Sequence, residues 1–318
     1  MSGGSETQGE KLDLAARAAW LYYIAGRTQD QIASALDISR PAAQRLVALA
    51  VSEKLIKFRL DHPIADCMDL ASRLTDRFGL TFCDIVPGDP SQPDARGGVA
   101  LSAGRWLEHY ASQTAPVVLA LGTGRTLRAA VAEVTTISRP QHKIISRVGN
   151  MARDGSASAF DVVMRLADRI GGRRYPMPTP VVADTADERD LLQAQRPFRV
   201  LCDLAAQAKA TVVGIAEIGW NAPMHKDGFI TDAELAELSE RGAVGEITGW
   251  AFDGQGRLLD GSINRRVVSL PLEQPPGRLV VAVGNGPGKI VPIAAALRGR
   301  LISGLITDDL TARAVLDA

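Results

Sequence analysis

The sequence predicts an α/β protein in which a small helical domain precedes a larger domain of alternating strands and helices. Residues 28–50 contain two short amphipathic helices joined by a tight turn, with apolar residues at the i, i+3 and i+4 spacing. From residue 82 onward, short apolar runs alternate with helical patterns. Such alternation is typical of a doubly wound, mainly parallel sheet that helices cover on both faces.

A chain of 318 residues is long enough for two domains with separate cores. Residues 1–10 are polar and are predicted to form a flexible tail, residues 11–62 the helical domain, and residues 63–318 the α/β domain. A helix over residues 12–25 is expected to pack behind the two short helices, with Leu14, Ala18, Leu21, Tyr22 and Ala25 as its apolar stripe. The alternating stretch IKFRL that follows them predicts a half-exposed strand, as in a winged helix.

The two short helices have the features of a DNA-binding helix-turn-helix unit. Thr28 and Gln31 have the spacing of a capping box, and Ser39 can cap the second helix. An exposed helix with Arg and Gln in its first turns suits the major groove, where Arg pairs with guanine and Gln with adenine. Lys57 and Arg59 in the predicted wing are either phosphate contacts or solvated charges. The predicted DNA-contacting residues are Gln29, Ser39, Arg40, Pro41, Gln44 and Arg45.

Composition sets weak limits on the partners of this protein. Net charge is zero, but residues 11–62 carry eight Lys or Arg against five Asp or Glu, a small excess that favours DNA binding as an oligomer. Three distant cysteines without a CxxC pair favour a reducing compartment. The four histidines lack metal-ligand spacing, so neither a metal nor another cofactor is expected. Without a signal peptide or an apolar run of about 18 residues, a cytoplasmic protein is expected, with no membrane partner.

The α/β domain is predicted from seven strand patterns and nine helical patterns. The strands are FCDIV, PVVLAL, KIISRVGN, ATVVGIAEIG, EITGWAFD, RLVVAVG and LISGLITD. The helices cover residues 64–79 and 99–110, the sequence following GTG at 122–124, and residues 158–170, 187–195, 198–208, 231–241, 289–297 and 308–316. Sheets of this kind bind ligands at the carboxyl ends of their strands, in the loops that lead into helices.

Two of these loops have the composition of a ligand site. Gly122–Thr126 follows a buried strand, and Gly284–Lys289 follows another; each stands at a predicted helix start, where main-chain N–H groups are available to an anion. Neither is a nucleotide motif, because Leu127 replaces the third small residue of the dinucleotide fingerprint and Ile290 replaces the hydroxyl residue of the Walker loop. Either loop alone is compatible with a simple tight turn. Together they predict a small anionic or hydroxylated ligand.

The segment between these loops supplies further candidates. Residues 217–228 lack periodicity and could form a mobile cover over a ligand, although Trp220 fits core packing equally well. Glu246 is either a carboxylate that accepts hydrogen bonds from sugar hydroxyls or a solvated side chain. Residues 253–256, with sequence DGQG, predict a hairpin turn. The predicted effector-binding residues are Gly122, Thr123, Gly124, Arg125, Thr126, Glu217, Glu246, Gly284, Asn285 and Lys289.

Nearly the whole chain resembles the SorC family of sugar-binding bacterial transcriptional regulators. The resemblance rests on AAWLYYIAGRTQDQIASALDISRPAAQRLV near the start and GKIVPIAAALRGRLISGLITDDLTARAVL near the end. It implies a helix-turn-helix domain, an effector domain similar to ribose-5-phosphate isomerase and glucosamine-6-phosphate deaminase, and a tetramer that responds to phosphorylated sugars or related polyols. By position, the resemblance also implies that Gly122–Thr126 holds phosphate or sugar, that Lys289 faces the anion, and that Glu246 stands where the family commonly has Asp.

Two functions are compatible with these features. The first is an effector-responsive transcription factor, expected to be a repressor of a carbohydrate or polyol catabolic operon, with a sugar phosphate or polyol altering its affinity for operator DNA. The alternative is an isomerase or deaminase acting on sugar phosphates, for which Glu217, Glu246 and Asp308 are the candidate acid–base groups. The helical domain favours the first, with any likeness to enzymes reflecting a reused binding architecture. A DNA-bound scaffold that senses no ligand is a weaker third possibility.

Overall fold

The computed structural model describes residues 3–53, 55–56, 63–152, 155–156, 161–261 and 263–318. The chain divides into two compact units, Met1–Asp61 and His62–Ala318. The predicted wing, with Lys57 and Arg59, lies outside the described residues except for Ile56.

The first unit consists of three helices around a small apolar core. They are α1 (Gly3–Tyr23), α2 (Gln29–Ala35) and α3 (Arg40–Ser52). Helix α1 packs on α3, and the core is formed by Ala15, Ala18, Ala19, Ile32, Ala33, Ala43, Leu46, Val47 and Ala50. The prediction of a flexible tail is therefore wrong from Gly3 onward. Polarity suggested disorder there, but the Glu, Gln and Lys residues of this stretch are good helix formers.

The caps of α2 and α3 differ in the way they are built. Thr28 and Gln31 form the predicted capping box, with the Thr28 N–H donating to Gln31 Oε1 over 3.0 Å. Ser39 occupies the N-cap position of α3, but its side chain makes no capping hydrogen bond, contrary to expectation. Helix α1 ends near Gly26, as predicted, yet Tyr22 and Ala25 are exposed instead of joining the apolar stripe.

The second unit is built on a seven-stranded, wholly parallel sheet with the order β1-β10-β9-β5-β2-β3-β4. Its strands are β1 (Phe82–Val86), β2 (Val118–Leu121), β3 (Lys143–Ser146), β4 (Arg173–Tyr175), β5 (Ala210–Gly214), β9 (Val280–Val283) and β10 (Gly304–Asp308). A separate antiparallel sheet contains β6 (Ala216–Glu217), β7 (Ala243–Ile247) and β8 (Trp250–Asp253). The prediction of a mainly parallel α/β sheet is confirmed, although β4 was not anticipated.

Helices cover both faces of the parallel sheet. The helices of the second unit are α4 (Pro63–Phe78), α5 (Gly97–Ala111), α6 (Arg125–Glu133), α7 (Val162–Ile170), α8 (Ala186–Ala194), α9 (Arg196–Ala205), α10 (Pro223–Lys226), α11 (Asp232–Glu240), α12 (Ile290–Arg298) and α13 (Asp309–Asp317). Of these, α10 and α11 pack with the antiparallel sheet. Strand β9 shows the two layers, because Val281 and Val283 join the core beneath α5, α6 and α7 whereas Ala282 joins the core beneath α4, α12 and α13. Burial on both faces explains the continuous apolar runs of these strands.

Two predicted strands are interrupted in the structure. ATVVGIAEIG leaves the parallel sheet after Gly214, and its continuation pairs in the antiparallel sheet as β6. EITGWAFD is a hairpin in which Thr248 and Gly249 form the turn between β7 and β8, with φ angles of 52° and 92°. Positive φ at both central residues is the hallmark of a two-residue hairpin. The sequence did not predict this turn, because Thr rarely adopts a positive φ.

The predicted helix over residues 158–170 begins only at Val162, where Asp161 caps it by accepting a hydrogen bond from the Met164 N–H over 2.9 Å. Residues 157–160 are outside the described part of the chain. The predicted turn at residues 253–256 is confirmed, because the Asp253 N–H bonds to the Arg257 carbonyl over 3.0 Å and the chain returns antiparallel at Leu258.

A pair of glycine variants tests the packing of this turn. Gly79 and Gly256 both have positive φ, but a Cβ at Gly79 would meet nothing within 4 Å, whereas one at Gly256 would overlap the Ala295 carbonyl and lie 2.7 Å from Gly299 Cα. Gly79→Ala should therefore cost about 1 kcal/mol of backbone strain. Gly256→Ala should cost about 1–3 kcal/mol more, since backbone atoms of α12 cannot yield. Urea unfolding of both variants measures the difference, and equal losses would contradict the close contact.

Candidate functional site

A cavity of about 490 Å³ lies at the carboxyl ends of three adjacent strands, β2, β5 and β9. Strand β5 pairs in parallel with β2 on one side and β9 on the other, in register at Leu121↔Val212 and Gly214↔Val283. The loops that follow β2 and β9 therefore stand on either side of β5. These are the two glycine-rich loops singled out in the sequence, which are some 160 residues apart along the chain.

Eight of the ten predicted effector residues line this cavity. They are Thr123, Gly124, Arg125, Thr126, Glu217, Glu246, Asn285 and Lys289. The sequence thus anticipated residues from four separate segments that the fold brings to one place.

Gly122 and Gly284 do not line the cavity, so their assignment to it is corrected. Both are buried at strand ends. A Cβ at Gly122 would lie 3.2 Å from Val213 Cα, and one at Gly284 would lie 3.4 Å from the Ile215 side chain. These glycines allow the loops to pass close to β5, which is a packing role.

The loop after β2 presents a helix start to the cavity. Gly124 is the N-cap residue of α6, with φ of 129°, and no side chain caps the helix there. The first N–H groups of a helix lack partners within the helix, and they favour an anion or a hydroxyl oxygen. Thr123 and Thr126 add hydroxyl groups to the same wall.

The ionisable groups of the cavity influence one another. Arg125 is paired with Asp227, with Nη2 3.1 Å from Oδ1. Burial raises the pKa of Glu246, while the Gly249 N–H, 2.7 Å from its Oε2, and the charge of Lys289 act in the opposite direction. Burial lowers the pKa of Lys289, while the negative charges of Glu246 and Glu217 act to raise it. The solvated alternative for Glu246 is wrong, because its side chain is largely enclosed and holds the β7–β8 turn.

Asn285 forms part of the wall, but most of its amide is occupied by the protein. Its Nδ2 donates to Asp308 Oδ2 over 2.8 Å and to the Ala95 carbonyl over 2.9 Å. Its Oδ1 is buried without a hydrogen-bond partner among the described residues. Asn285 therefore ties the β9 loop to its neighbours as well as facing the cavity.

The segment 217–228 encloses part of the cavity, as its predicted role as a cover requires. It contains the short helix α10, and Asn221, Pro223, Met224 and Asp227 line the cavity. The Arg125–Asp227 pair joins this segment to the start of α6. The core alternative for Trp220 is wrong, because 59% of its surface is exposed and its ring contacts His225 edge to face.

Several lining residues were missed in the sequence. Asp94 and Arg96 come from the long loop between β1 and α5, and Thr248 comes from the hairpin turn. The β1–α5 loop is rich in Pro and Gly and contains no recognisable motif. Its role in the cavity wall is therefore evident only from its position beside the β9 loop. The sequence did not indicate Thr248 as a lining residue, because it lies within EITGWAFD, which was predicted as one strand.

The predicted DNA-contacting residues lie mostly on the surface of the helical unit. Ser39, Arg40, Pro41, Gln44 and Arg45 are exposed, and Gln29 is half-buried. Arg40 lies 3.5 Å from Asp30, but both side chains are well exposed, and such a pair holds the arginine only weakly. The outer face of α3 is therefore available to a partner.

Comparison with known proteins decides the family. Residues 62–317 match the model of a putative sugar-binding domain. The chain is 34% identical over 308 residues to the erythritol catabolism regulatory protein EryD of Brucella abortus, covering 95% of this chain and 96% of that protein. The chain belongs to the SorC family of sugar-binding transcriptional regulators. The match spans both units, so this family member is a transcriptional regulator, as the sequence predicted.

Other relatives agree with this assignment. The deoxyribonucleoside regulator of Bacillus subtilis is 27% identical over 314 residues, covering 97% of this chain and 98% of that protein. The full-length sorbitol operon regulator SorC from Klebsiella pneumoniae shares the fold, with a TM-score of 0.70 at 20% identity over 96% of this chain and 98% of that chain. These relatives are regulators, not enzymes, and the isomerase or deaminase alternative gains no support from them.

The described residues contain neither a metal-binding cluster nor a membrane-spanning helix. No group of three or more His, Cys, Asp or Glu side chains in that part of the chain is arranged to hold a metal ion. No helix in it combines the length and the apolar character that a membrane span requires.

Replacing Glu246 with Gln tests the electrostatics of the cavity. A carboxyl whose pKa is raised in the folded state favours folding most when protonated, and this contribution is lost as the pH rises above the ordinary carboxyl value toward the raised pKa. Glu246→Gln should therefore unfold at a higher temperature than the wild type at neutral pH, with the difference disappearing below about pH 4. Thermal unfolding across this pH range measures it. A variant that is less stable at neutral pH would contradict the burial of an ionised carboxylate.

Proposed function

We propose that the helical unit is a helix-turn-helix DNA-binding domain and that the cavity binds a small sugar or polyol, free or phosphorylated, which changes its affinity for operator DNA. The observation that carries this proposal is the cavity at the ends of β2, β5 and β9, where hydroxyl, carboxylate and cationic side chains converge in a chain of this family. The names of two relatives, which refer to erythritol catabolism and to deoxyribonucleosides, support a polyhydroxylated effector.

The chemistry of the cavity fits a hydroxylated ligand. Glu217 and Glu246 are acceptors for hydroxyl hydrogens, while Thr123, Thr126 and the N–H groups at the start of α6 are suited to hydroxyl or phosphate oxygens. Val148, Val181 and Phe229 supply apolar surface for the carbon chain. Small-molecule sites usually combine apolar surface with directed polar groups, and the polar share is large here, as a polyhydroxylated ligand requires.

Helix α3 is the proposed recognition helix. Its buried face holds it against α1 through Ala43, Val47 and Ala50, which leaves Arg40, Gln44 and Arg45 on the outer face. The capped helix α2 and the short turn after it set the angle of α3. In such units the second helix enters the major groove and its first turns contact base edges.

Regulation requires that binding of the effector and binding of DNA be energetically coupled. A typical coupling of about 1–3 kcal/mol changes operator affinity about 5- to 150-fold. The protein is proposed to act as a repressor. It is proposed to bind DNA as an oligomer, because the helical domain carries only a small excess of positive charge. The family resemblance implies that this oligomer is a tetramer.

The direct test is a gel shift with a DNA fragment from upstream of the gene, with and without erythritol, deoxyribose and their phosphates. Sequence-specific retention that one of these compounds alters is the expected result. Failure to retain the fragment in any condition would end the proposal. A protein that retains DNA but shows no thermal stabilisation by any compound would instead be a ligand-independent scaffold, since binding to the native state alone must raise its stability.

Arg45→Ala tests the DNA-binding role of α3. Loss of a base or phosphate contact should weaken specific operator binding by about 1–3 kcal/mol while leaving effector binding unchanged. The control is Arg17→Ala, an exposed arginine on α1 outside the proposed contact surface. Gel-shift titration measures both. Equal weakening by the two variants would show a general charge effect instead of a contact made by α3.

Lys289→Ala tests the role of the cavity. The variant should retain operator binding but require a much higher effector concentration for the same response, because a cation facing the ligand is lost. Lys226→Ala is the control, since Lys226 is exposed on α10 and does not line the cavity. Dose–response curves by gel shift provide the measurement, and an unchanged curve for Lys289→Ala would remove this residue from the site.

A further inference from the structure

The loop between β1 and α5, residues 87–96, forms a third wall of the cavity through Asp94 and Arg96. Asn285 fastens this loop to the β9 loop, because its Nδ2 donates to the Ala95 carbonyl over 2.9 Å. The two backbones are also close at Gly286, where a Cβ would lie 3.4 Å from the Pro93 carbonyl oxygen and 3.6 Å from Asp94 Cα. Arg96 is therefore carried on a backbone held against the loop that bears Lys289.

Both loops are anchored on the first turn of α13. The Gly88 N–H donates to Asp309 Oδ1 over 2.7 Å, and the Gly286 N–H donates to Thr311 Oγ1 over 2.9 Å. Asp308, which is 3% exposed, accepts from Asn285 and from the Thr311 N–H. A shared, buried anchor fixes the separation of the two loops, so the backbones that carry Arg96 and Lys289 are pre-organised before any ligand enters.

The three cations of the cavity are not equivalent. Arg125 is occupied by Asp227. Among the described residues, no carboxylate lies within ion-pair distance of Arg96 or Lys289. Burial is the largest cause of the lowered pKa of Lys289, and the carboxylates of Glu246 and Glu217 oppose it. The charge of Arg96 is close enough to lower this pKa further. Two neighbouring cations that repel each other are stabilised by an anion placed between them.

We propose that Arg96 is an effector-contacting residue which, together with Lys289, receives the phosphate group of a phosphorylated sugar or polyol. The planar guanidinium can donate two parallel hydrogen bonds to phosphate oxygens, and the ammonium of Lys289 adds a compact charge. Glu217 and Glu246 are then left for the hydroxyl groups of the same molecule. This inference rests on the proposed function and adds Arg96 to the residues proposed to contact its effector.

The test measures binding of matched pairs of compounds to the full-length protein by calorimetry. The probes are erythritol 4-phosphate with erythritol, and ribose 5-phosphate with ribose. The variants are Arg96→Ala and Arg96→Lys, with Arg105→Ala as the control, because Arg105 is an exposed arginine of α5 that does not line the cavity. Titrations at two salt concentrations report on charge, since partly exposed ion pairs are screened by salt.

The wild type is expected to bind at least one phosphorylated probe more tightly than its parent compound. In Arg96→Ala, the affinity for the phosphorylated probe should fall roughly tenfold or more, and this affinity should depend less on salt. The affinity for the parent compound should not change. Arg96→Lys should recover part of the loss, and Arg105→Ala should behave like the wild type.

Equal losses for both members of a pair, or no loss in Arg96→Ala, would overturn the role of Arg96. Tighter wild-type binding of the parent compound, or binding of no probe, would overturn the phosphate assignment. These outcomes are distinct from failure of the proposed function, which shows itself as absence of specific operator retention by the wild type in the gel shift without any probe.

Discussion

Parallel pairing of β5 between β2 and β9 is the constraint on which the site depends. The register places the last residues of three strands at one edge of the sheet, so the loops that leave them converge. Close packing completes the arrangement, because a side chain at Gly214 would bring a Cβ within 2.9 Å of the Thr123 carbonyl. The absence of a side chain at Gly214 therefore allows the backbone of the β2–α6 loop to rest directly on β5. The lining side chains follow from this backbone geometry.

The cavity gathers charges of both signs in a confined space, and burial opposes the ionised forms of Glu246 and Lys289. The pKa of the Glu246 carboxyl is raised and that of the Lys289 ammonium is lowered for this same physical reason. Such groups are common where a ligand is to be recognised, because a ligand can replace the water they have lost. The turn at Thr248 is also energetically unfavourable by itself, because a β-branched residue rarely adopts a φ of 52°. The surrounding structure must supply this energy, as is common at ligand sites.

Three connections tie the cavity to the rest of the α/β unit. The Arg125–Asp227 pair joins the start of α6 to the segment that encloses the cavity. Asn285 joins the β9 loop to the β1–α5 loop, and the first turn of α13 holds both. A ligand that displaces any of these contacts would act on several secondary-structure elements together. This provides a physical route from binding to a change in the unit, which is what an effector domain requires.

Much of this protein is determined by local patterns in its sequence. The alternation of buried strands and amphipathic helices predicted the parallel sheet, and helical periodicity with the Thr28–Gln31 cap predicted the α2–turn–α3 unit. These signals are local, arising from residues a few positions apart. The two glycine loops were recognisable for the same reason, since each is a short turn between a buried strand and a helix.

Only the tertiary structure decided which segments meet. Pairing β5 with β2 and β9 depends on contacts between residues far apart in the chain, and no local pattern encodes it. The packing of Gly122 and Gly284 close to β5 follows from that pairing. The place of Arg96 in the cavity wall follows from the contact between the β1–α5 loop and the β9 loop. Polarity alone misjudged residues 3–10, because polar residues of high helix propensity extend α1 to Gly3. Side-chain identity along the chain specifies the elements, whereas long-range burial of strands and loops against one another specifies the site.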